Sequence, residues 1–177
     1  MKPVFSLFLL SLFFFACTSS GTKQPSENTS QEKTVLKSFS DSSKLDTFKV
    51  GLSGNKPKDM LLTFRIISSD GKELYQKVLK ATELLDNYKE TLDLSKEKDQ
   101  KNFMTEELNE FLDEENFLEP AVTPEEKPDQ YTADKLFYEE LQKSRLNGFK
   151  YRISKETKVY IAWSVKEHKV KIYYKCC

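Results

Sequence analysis

The strongest constraint on the fold is a C-terminal segment in which apolar and polar residues alternate through three consecutive runs. The apolar positions are Phe149, Tyr151 and Ile153, then Val159, Ile161, Trp163 and Val165, then Val170, Ile172 and Tyr174. Alternation with a period of two is typical of β-strands that bury one face. A turn centred on Glu167 and His168 pairs Trp163 with Ile172 and leaves one face wholly apolar. Because a slip of one residue would invert the faces, the sequence predicts an antiparallel meander in this register.

A second hairpin is predicted upstream of this meander. Residues 61–68 and 74–80 are strand-like, and Asp70-Gly71 between them is a favoured two-residue turn. The pairs that follow from this turn are Ile66 with Tyr75, Phe64 with Lys77 and Leu62 with Leu79. A preceding strand is predicted from the alternation of Phe48, Val50 and Leu52.

Two helices are predicted between the two sets of strands. The first runs from Ser95 to about Glu115, and its apolar stripe is formed by Met104, Leu108, Phe111 and Leu112. The second runs from about Thr132 to Asn147, after a segment whose prolines exclude regular structure. The expected fold is therefore α+β, with an antiparallel β-sheet built from hairpins and a C-terminal meander and covered by two main helices.

Charge and composition exclude several classes of protein. Lys and Arg total 28 and Asp and Glu also total 28, so the formal net charge is zero. Nucleic-acid binders normally carry a basic excess, so no nucleic-acid partner is expected. The only histidine of the sequence, His168, falls at the predicted hairpin tip, where a catalytic base would lack shelter. No catalytic residue, metal site or cofactor is predicted.

The first residues have the pattern of a secretory leader. Lys2 precedes a nearly unbroken apolar run from Val4 to Ala16. As a helix, this run would span roughly 20 Å, which is short of the ~30 Å hydrocarbon core of a membrane. The run is therefore predicted to be the apolar region of a signal peptide that covers residues 1–16.

The end of this run, Phe14-Phe15-Ala16-Cys17, resembles the lipobox of bacterial lipoproteins with a type II signal peptide. The family usually has Leu and a small residue where this chain has Phe14 and Phe15, and the Phe-rich form is similar to lipoproteins of Bacteroidota. The resemblance implies cleavage before Cys17, acylation of this cysteine, palmitate included, and anchoring to a membrane. The globular part resembles only an uncharacterised lipoprotein family. A plain secreted protein with a chance cysteine is the alternative.

The residues after Cys17 bear on the location within the cell envelope. Thr18, in place of Asp, implies the outer membrane rather than the inner one in the enterobacterial sorting system. No acidic cluster follows Cys17, and such clusters mark export to the cell surface in some lipoproteins of Bacteroidota. The periplasmic face of the outer membrane is therefore expected.

Residues 17–44 are predicted to form a flexible, lipidated tether. Twelve of these 28 residues are Ser or Thr, and the large apolar residues are Val35, Leu36 and Phe39. Such a composition buries too little apolar surface to fold. The globular part is accordingly expected to be a single α+β domain of residues 45–177.

Two pairs of residues are candidate sites in this domain. Cys176 and Cys177 end the chain, and they are interpreted as a vicinal or intermolecular disulfide or a thiol switch. A soft-metal site is disfavoured, because it usually needs three or four thiolate ligands and only two are available. The alternative is a buried small side chain followed by an exposed one. Tyr160 and Tyr173 are expected on the outward face of the sheet beside Ala162, either as a platform for a ligand such as a sugar or beneath a covering element.

Charge is unevenly distributed along the domain. From Thr105 to Asp129 there are ten acidic residues and one Lys, whereas from Lys143 to Lys175 there are ten Lys or Arg and two Glu. The two regions are expected to lie side by side in the fold, although the basic region would also suit an anionic lipid or polymer.

These patterns lead to two hypotheses about function. The first is a non-enzymatic binding or assembly module whose partner is a protein or another component of the cell envelope. The second is a periplasmic hydrolase that uses paired carboxylates on a glycan or similar substrate. Two carboxylates in a deep cleft would favour the hydrolase, and a shallow apolar patch would favour a partner surface.

Overall fold

The computed structural model describes residues 31–176, which form two four-stranded antiparallel sheets and three α-helices. The elements in chain order are β1 Gln31–Lys37, β2 Asp46–Ser53, β3 Leu61–Ile67, β4 Glu73–Lys80, α1 Ala81–Asp86, α2 Glu97–Glu110, β5 Phe117–Leu118, α3 Lys135–Ser144, β6 Gly148–Ser154, β7 Thr157–Ser164 and β8 Lys169–Cys176. The predicted α+β class is confirmed, and the strands are divided between two sheets. Of the helices, α2 and α3 are the two predicted ones, both shorter than expected.

The N-terminal sheet contains β1 to β4 in chain order. Its β3–β4 hairpin has the predicted register, with Phe64 opposite Lys77. Gly71 in the connecting turn has φ 87°, a left-handed conformation that glycine adopts without strain. Along β2 every second residue is buried, and the intervening positions, such as Lys49, are partly exposed. This sheet therefore buries one face, as its alternating sequence predicts.

The first strand corrects the predicted tether. Residues 31–37, expected to be flexible, form β1 and pair with β2 in antiparallel register. Phe39 is buried, and its ring packs edge-on against that of Phe48, with centroids 5.3 Å apart. The folded domain thus includes residue 31 and does not begin at Leu45. The Ser-rich composition was misleading because strand pairing and one buried aromatic ring are enough to order a polar segment. The remainder of the predicted tether and the signal peptide lie outside the described residues.

An aromatic core joins the two sheets. The ring of Phe64 in the N-terminal sheet lies 5.0 Å from that of Phe149 in β6 and 5.0 Å from that of Phe111, which follows α2. The hydroxyl groups of Tyr75 and Tyr151, from opposite sheets, share a hydrogen bond of 2.6 Å. The predicted apolar stripe is confirmed, because Met104 and Leu108 of α2 and Phe111 and Leu112 directly after it are all buried in this core.

The C-terminal sheet, β5 to β8, is covered on both faces. Its inner face, which includes Phe149 and Ile161, packs in the aromatic core. Its outer face packs against α3 in a second cluster, whose buried members are Ala121, Val122, Phe137, Tyr138, Leu141, Ala162 and Tyr173. Asp134 caps α3, because its carboxylate accepts the N–H of Phe137 at 3.1 Å.

The predicted register of the last hairpin is wrong. Trp163 pairs with Val170 and not with Ile172, and the register shifts between Tyr160 and Ile161. Tyr173 is the extra residue of this bulge, since its two neighbours in β8 are the ones that have partners in β7.

The bulge moves Tyr174 from the predicted inner face to the outer face, opposite Tyr160. The chain before α3 holds β8 in this position. The N–H of Ala133 donates to the carbonyl of Tyr173 at 3.0 Å, and the N–H of Lys175 donates to the carbonyl of Tyr131 at 3.1 Å. These hydrogen bonds join segments that are distant in sequence, so the alternating pattern of β8 alone does not reveal them.

Candidate functional site

A charged cleft of about 420 Å³ lies between the end of α2 and the β6–β7 hairpin. Its lining residues are Glu107, Glu110, Phe111, Asp113, Glu115, Asn116, Lys150, Tyr151, Arg152 and Lys158. The volume is within the usual range of ligand sites. The acidic and basic regions of the sequence meet here, which confirms that they lie side by side.

The charged cleft exists because β5 is short. β5 pairs only with Gly148 and Phe149 of β6. The residues before it, Glu114–Asn116, form a 3-10 helix and do not continue the strand. The side-chain amide of Asn116 holds this turn in place by donating to two carbonyl groups at the end of α2, each at 3.2 Å. Among the described residues, no strand therefore pairs with residues 150–154 of β6 on the side of the cleft.

Glu107 is a largely enclosed charge of the cleft, since its side chain is 12% exposed. Arg152 donates a hydrogen bond to this carboxylate, and its guanidinium lies 5.3 Å from the centre of the Tyr88 ring. Burial raises the pKa of Glu107, Arg152 opposes this effect, and Glu110 adds to it. Glu107 and Arg152 thus satisfy each other and connect β6 to α2.

The other charges of the cleft have no ion-pair partner among residues 31–176. Glu110, Asp113 and Glu115 form an acidic wall, and Lys150 and Lys158 form a basic wall. Lys158 lies directly opposite Arg152 on the neighbouring strand, and Glu107 neutralises Arg152 but not Lys158. The charged cleft therefore keeps uncompensated charges of both signs.

A second, shallower depression of about 340 Å³ lies between α3 and the β7–β8 turn. Leu136 and Val165 line it, and they are 74% and 49% exposed. Glu140 joins α3 to this turn by accepting the hydroxyl of Ser164 at 3.0 Å and the N–H of Lys166 at 3.2 Å. Exposed apolar side chains that share one depression are a common feature of interaction surfaces.

The two tyrosines predicted as a ligand platform have different environments. Tyr173 is buried beneath α3, and its hydroxyl donates to the carbonyl of Ala121 at 2.8 Å. Tyr160 is half-buried, and its ring lies 5.3 Å from that of Tyr174. The alternative interpretation, that a helix covers these side chains, is therefore correct for Tyr173, whose ring is buried and cannot form a ligand platform.

The remaining predicted sites are only partly described. Cys176 is half-buried at the end of β8. Cys17 and Cys177 lie outside the described residues, so the lipidation and the cysteine pair stay predictions. His168 is exposed in the β7–β8 turn, as predicted, and has φ 50°.

Within residues 31–176, no group of three or more His, Cys, Asp or Glu side chains is placed to hold a metal ion. No helix in this part of the chain has the length and apolar character needed to cross a membrane.

The fold and the site define an α+β protein with two packed antiparallel sheets and a charged cleft at the edge of one sheet. Comparison with protein-family models, with curated proteins and with solved structures finds no match. Its function is therefore inferred from its own residues.

Proposed function

We propose that the protein is a lipid-anchored, non-enzymatic binding or assembly module of the bacterial cell envelope, at the periplasmic face of the outer membrane. The observation that carries this proposal is the uncompensated charge of the charged cleft. Electrostatic complementarity with a partner is a common use of such charges, because it steers association and selects among partners. Lys150 and Lys158 have no acidic partner among the described residues, and a bound partner with negative charge would supply one.

The shallow depression at Leu136 and Val165 also supports a binding role. Its apolar rim is separate from the acidic and basic walls, so the domain has two surfaces of different chemistry. Two such surfaces are what an assembly module needs to hold two partners, or one large partner, at the same time.

The predicted signal peptide, residues 1–16, and the lipobox-like sequence at Cys17 support the attachment to a membrane. Cleavage before Cys17 leaves the acylated residue 14 positions before Gln31, the first residue of β1. A chain joining these residues reaches at most about 50 Å when fully extended. Two or more acyl chains on one cysteine give stable attachment, which a single chain does not. The domain would therefore work within a short distance of the lipid surface.

Replacement of Cys17 tests the anchor. In the organism that makes the protein, Cys17→Ser should move the protein from the membrane fraction to the soluble fraction, with Cys176→Ser as the matched control that stays at the membrane. Mass spectrometry of the wild-type N-terminus should find acyl chains on Cys17. Tight membrane retention of Cys17→Ser would contradict the lipid anchor.

Crosslinking in intact cells tests the binding role. A partner that uses the charged cleft should be captured by the wild-type protein and lost when Glu110 and Asp113 are both replaced by Lys. Glu125→Lys is the matched control, since Glu125 is exposed and lies outside the cleft. Capture that is equal for all three proteins would show that the charged cleft is not the binding surface.

One observation favours the hydrolase as a second candidate. Four carboxylates line the charged cleft, and burial raises the pKa of one of them, Glu107, as in many general acids. One observation opposes this role. The guanidinium of Arg152 forms an ion pair with the Glu107 carboxylate, so protonation of Glu107 would have to break that ion pair. Hydrolysis of envelope glycan by the wild-type protein, lost in Glu107→Gln, would replace the binding proposal.

A further inference from the structure

The charged cleft also includes a strand edge that no described strand pairs with, and this edge indicates the kind of partner that the cleft fits. β5 ends its pairing at Phe149, and residues 150–154 continue β6 without a strand beside them among the described residues. An unpaired strand edge presents backbone N–H and C=O groups that can pair with another chain. The space that a continued β5 would fill is part of the charged cleft.

The charges on the two walls specify what such a chain would carry. Successive side chains of an extended segment point to opposite sides. On one side, the segment would meet the acidic wall, Glu110, Asp113 and Glu115. On the other side, it would meet Lys150, which lies on the outer face of the C-terminal sheet together with Lys158.

Arg152 contributes less to this recognition than Lys150 and Lys158, because Glu107 already neutralises it. The floor of the cleft is apolar, formed by the buried rings of Phe111 and Tyr151. The hydroxyl of Tyr151 is bonded to Tyr75, so only its ring contributes to the floor.

We propose that the charged cleft binds an extended peptide segment as an additional strand beside β6, with basic side chains against the acidic wall and acidic side chains toward Lys150 and Lys158. This inference rests on the proposed binding function and names its partner as a peptide of alternating charge. Recognition of this kind combines main-chain hydrogen bonds, which provide affinity, with side-chain contacts, which provide specificity.

Titration of the full chain in a mild detergent with synthetic peptides tests the proposal. The probe is a hexapeptide that alternates Lys and Glu and is capped at both ends. The matched control peptide has the same composition with the three Lys before the three Glu. We expect the alternating peptide to bind at least about tenfold more tightly than the control. In an extended strand, the alternating sequence places all Lys side chains on one side and all Glu side chains on the other, and the control does not.

A second control probes the main chain. Methylation of the peptide nitrogens at alternate residues removes hydrogen-bond donors without changing the charges. When the methylated nitrogens face β6, affinity should fall by about tenfold, and when they face away it should be nearly unchanged. Hydrogen exchange of the complex should show new protection in residues 150–154.

Variants of the cleft complete the test. Glu110→Gln together with Glu115→Gln, and separately Lys158→Gln, should weaken the alternating peptide, whereas Glu125→Gln and Lys127→Gln should not. Equal binding of the two hexapeptides, or methylation without effect, would overturn strand addition and indicate charge attraction alone.

Absence of peptide binding would also overturn this inference. The proposed function would still stand if crosslinking in cells depended on Glu110 and Asp113, because the partner would then be bound in another way. If the peptide did not bind and crosslinking did not depend on Glu110 and Asp113, the charged cleft would not be a binding surface.

Discussion

The two sheets differ in how many faces they bury. The N-terminal sheet buries one face, and the register of its β3–β4 hairpin is the one that alternation predicts. The C-terminal sheet is covered on both faces, and the register of its β7–β8 hairpin departs from prediction at a bulge. The difference shows that alternation specifies a register well only when one face is buried, because burial on both faces removes the contrast between them.

The covered face of the C-terminal sheet also explains the burial of polar and small residues. Ser164 and Ala162 are fully buried beneath α3, although both were expected to face outward. Ile172, expected in the core, is 41% exposed at the edge strand. The burial of Ser164 and Ala162 depends on α3, which is distant in sequence from β7.

The largest effect is expected at the aromatic core shared by both sheets. Phe64→Ala should lower the free energy of unfolding by about 3–5 kcal/mol, because the ring contacts both sheets and leaves a cavity. Denaturant unfolding measures this change. The matched control is Leu36→Ala in β1 of the same sheet, whose side chain is 56% exposed and whose truncation should cost much less. A small effect of Phe64→Ala would contradict a common core.

A smaller and more local effect is expected at the second cluster. Leu141→Ala should cost about 3 kcal/mol, because this side chain is fully buried between α3 and the sheet. Hydrogen exchange should increase in α3 and β8 while β2 and β3 keep their protection. If the N-terminal sheet lost protection equally, the two faces would not be separate packing units.

Trp163→Ala distinguishes the observed register of the β7–β8 hairpin from the predicted one. The predicted register makes Trp163 a full member of the core, whereas the structure leaves it half-buried against the aromatic core. We therefore expect a loss of about 2 kcal/mol, roughly half of that for a fully buried Trp. A loss as large as that of Phe64→Ala would support the predicted register instead.

The smallest effect is expected at the cap of α3 and depends on pH. Asp134 accepts the N–H of Phe137 and pairs with Lys171, so Asp134→Ala should cost about 1 kcal/mol at neutral pH. Lys171, together with the backbone N–H groups, lowers the pKa of Asp134 below its usual value of 3.8. The stabilisation is therefore present above that value and is lost as the pH falls through the lowered pKa.

Unfolding of both proteins between pH 7 and pH 2 measures this dependence. The difference between wild type and Asp134→Ala should shrink at the acidic end. Asp134→Asn keeps a capping oxygen and should recover part of the loss at neutral pH, without the dependence on pH. A difference that is constant with pH would show that the charge of Asp134 does not contribute.

The charged cleft was only partly foreseeable. The acidic and basic regions are visible in the sequence, and their meeting in one place was predicted. The pairing of Glu107 with Arg152 was not, since nothing local distinguishes these residues from their charged neighbours. A weak signal was the occurrence of Arg152 and Lys158 at polar positions of adjacent alternating runs, which places two cations opposite each other once the runs pair.

The amino-acid sequence by itself determined the α+β class, the register of the first hairpin and the apolar stripe of α2, because these depend on residues close together in the chain. The tertiary structure alone determined that β1 belongs to the domain, that Tyr173 is covered and that, among the described residues, no strand pairs with residues 150–154 on the cleft side of β6. Each of these features depends on contacts between distant segments, in which strand pairing, packing of α3 and the early end of β5 outweigh local composition.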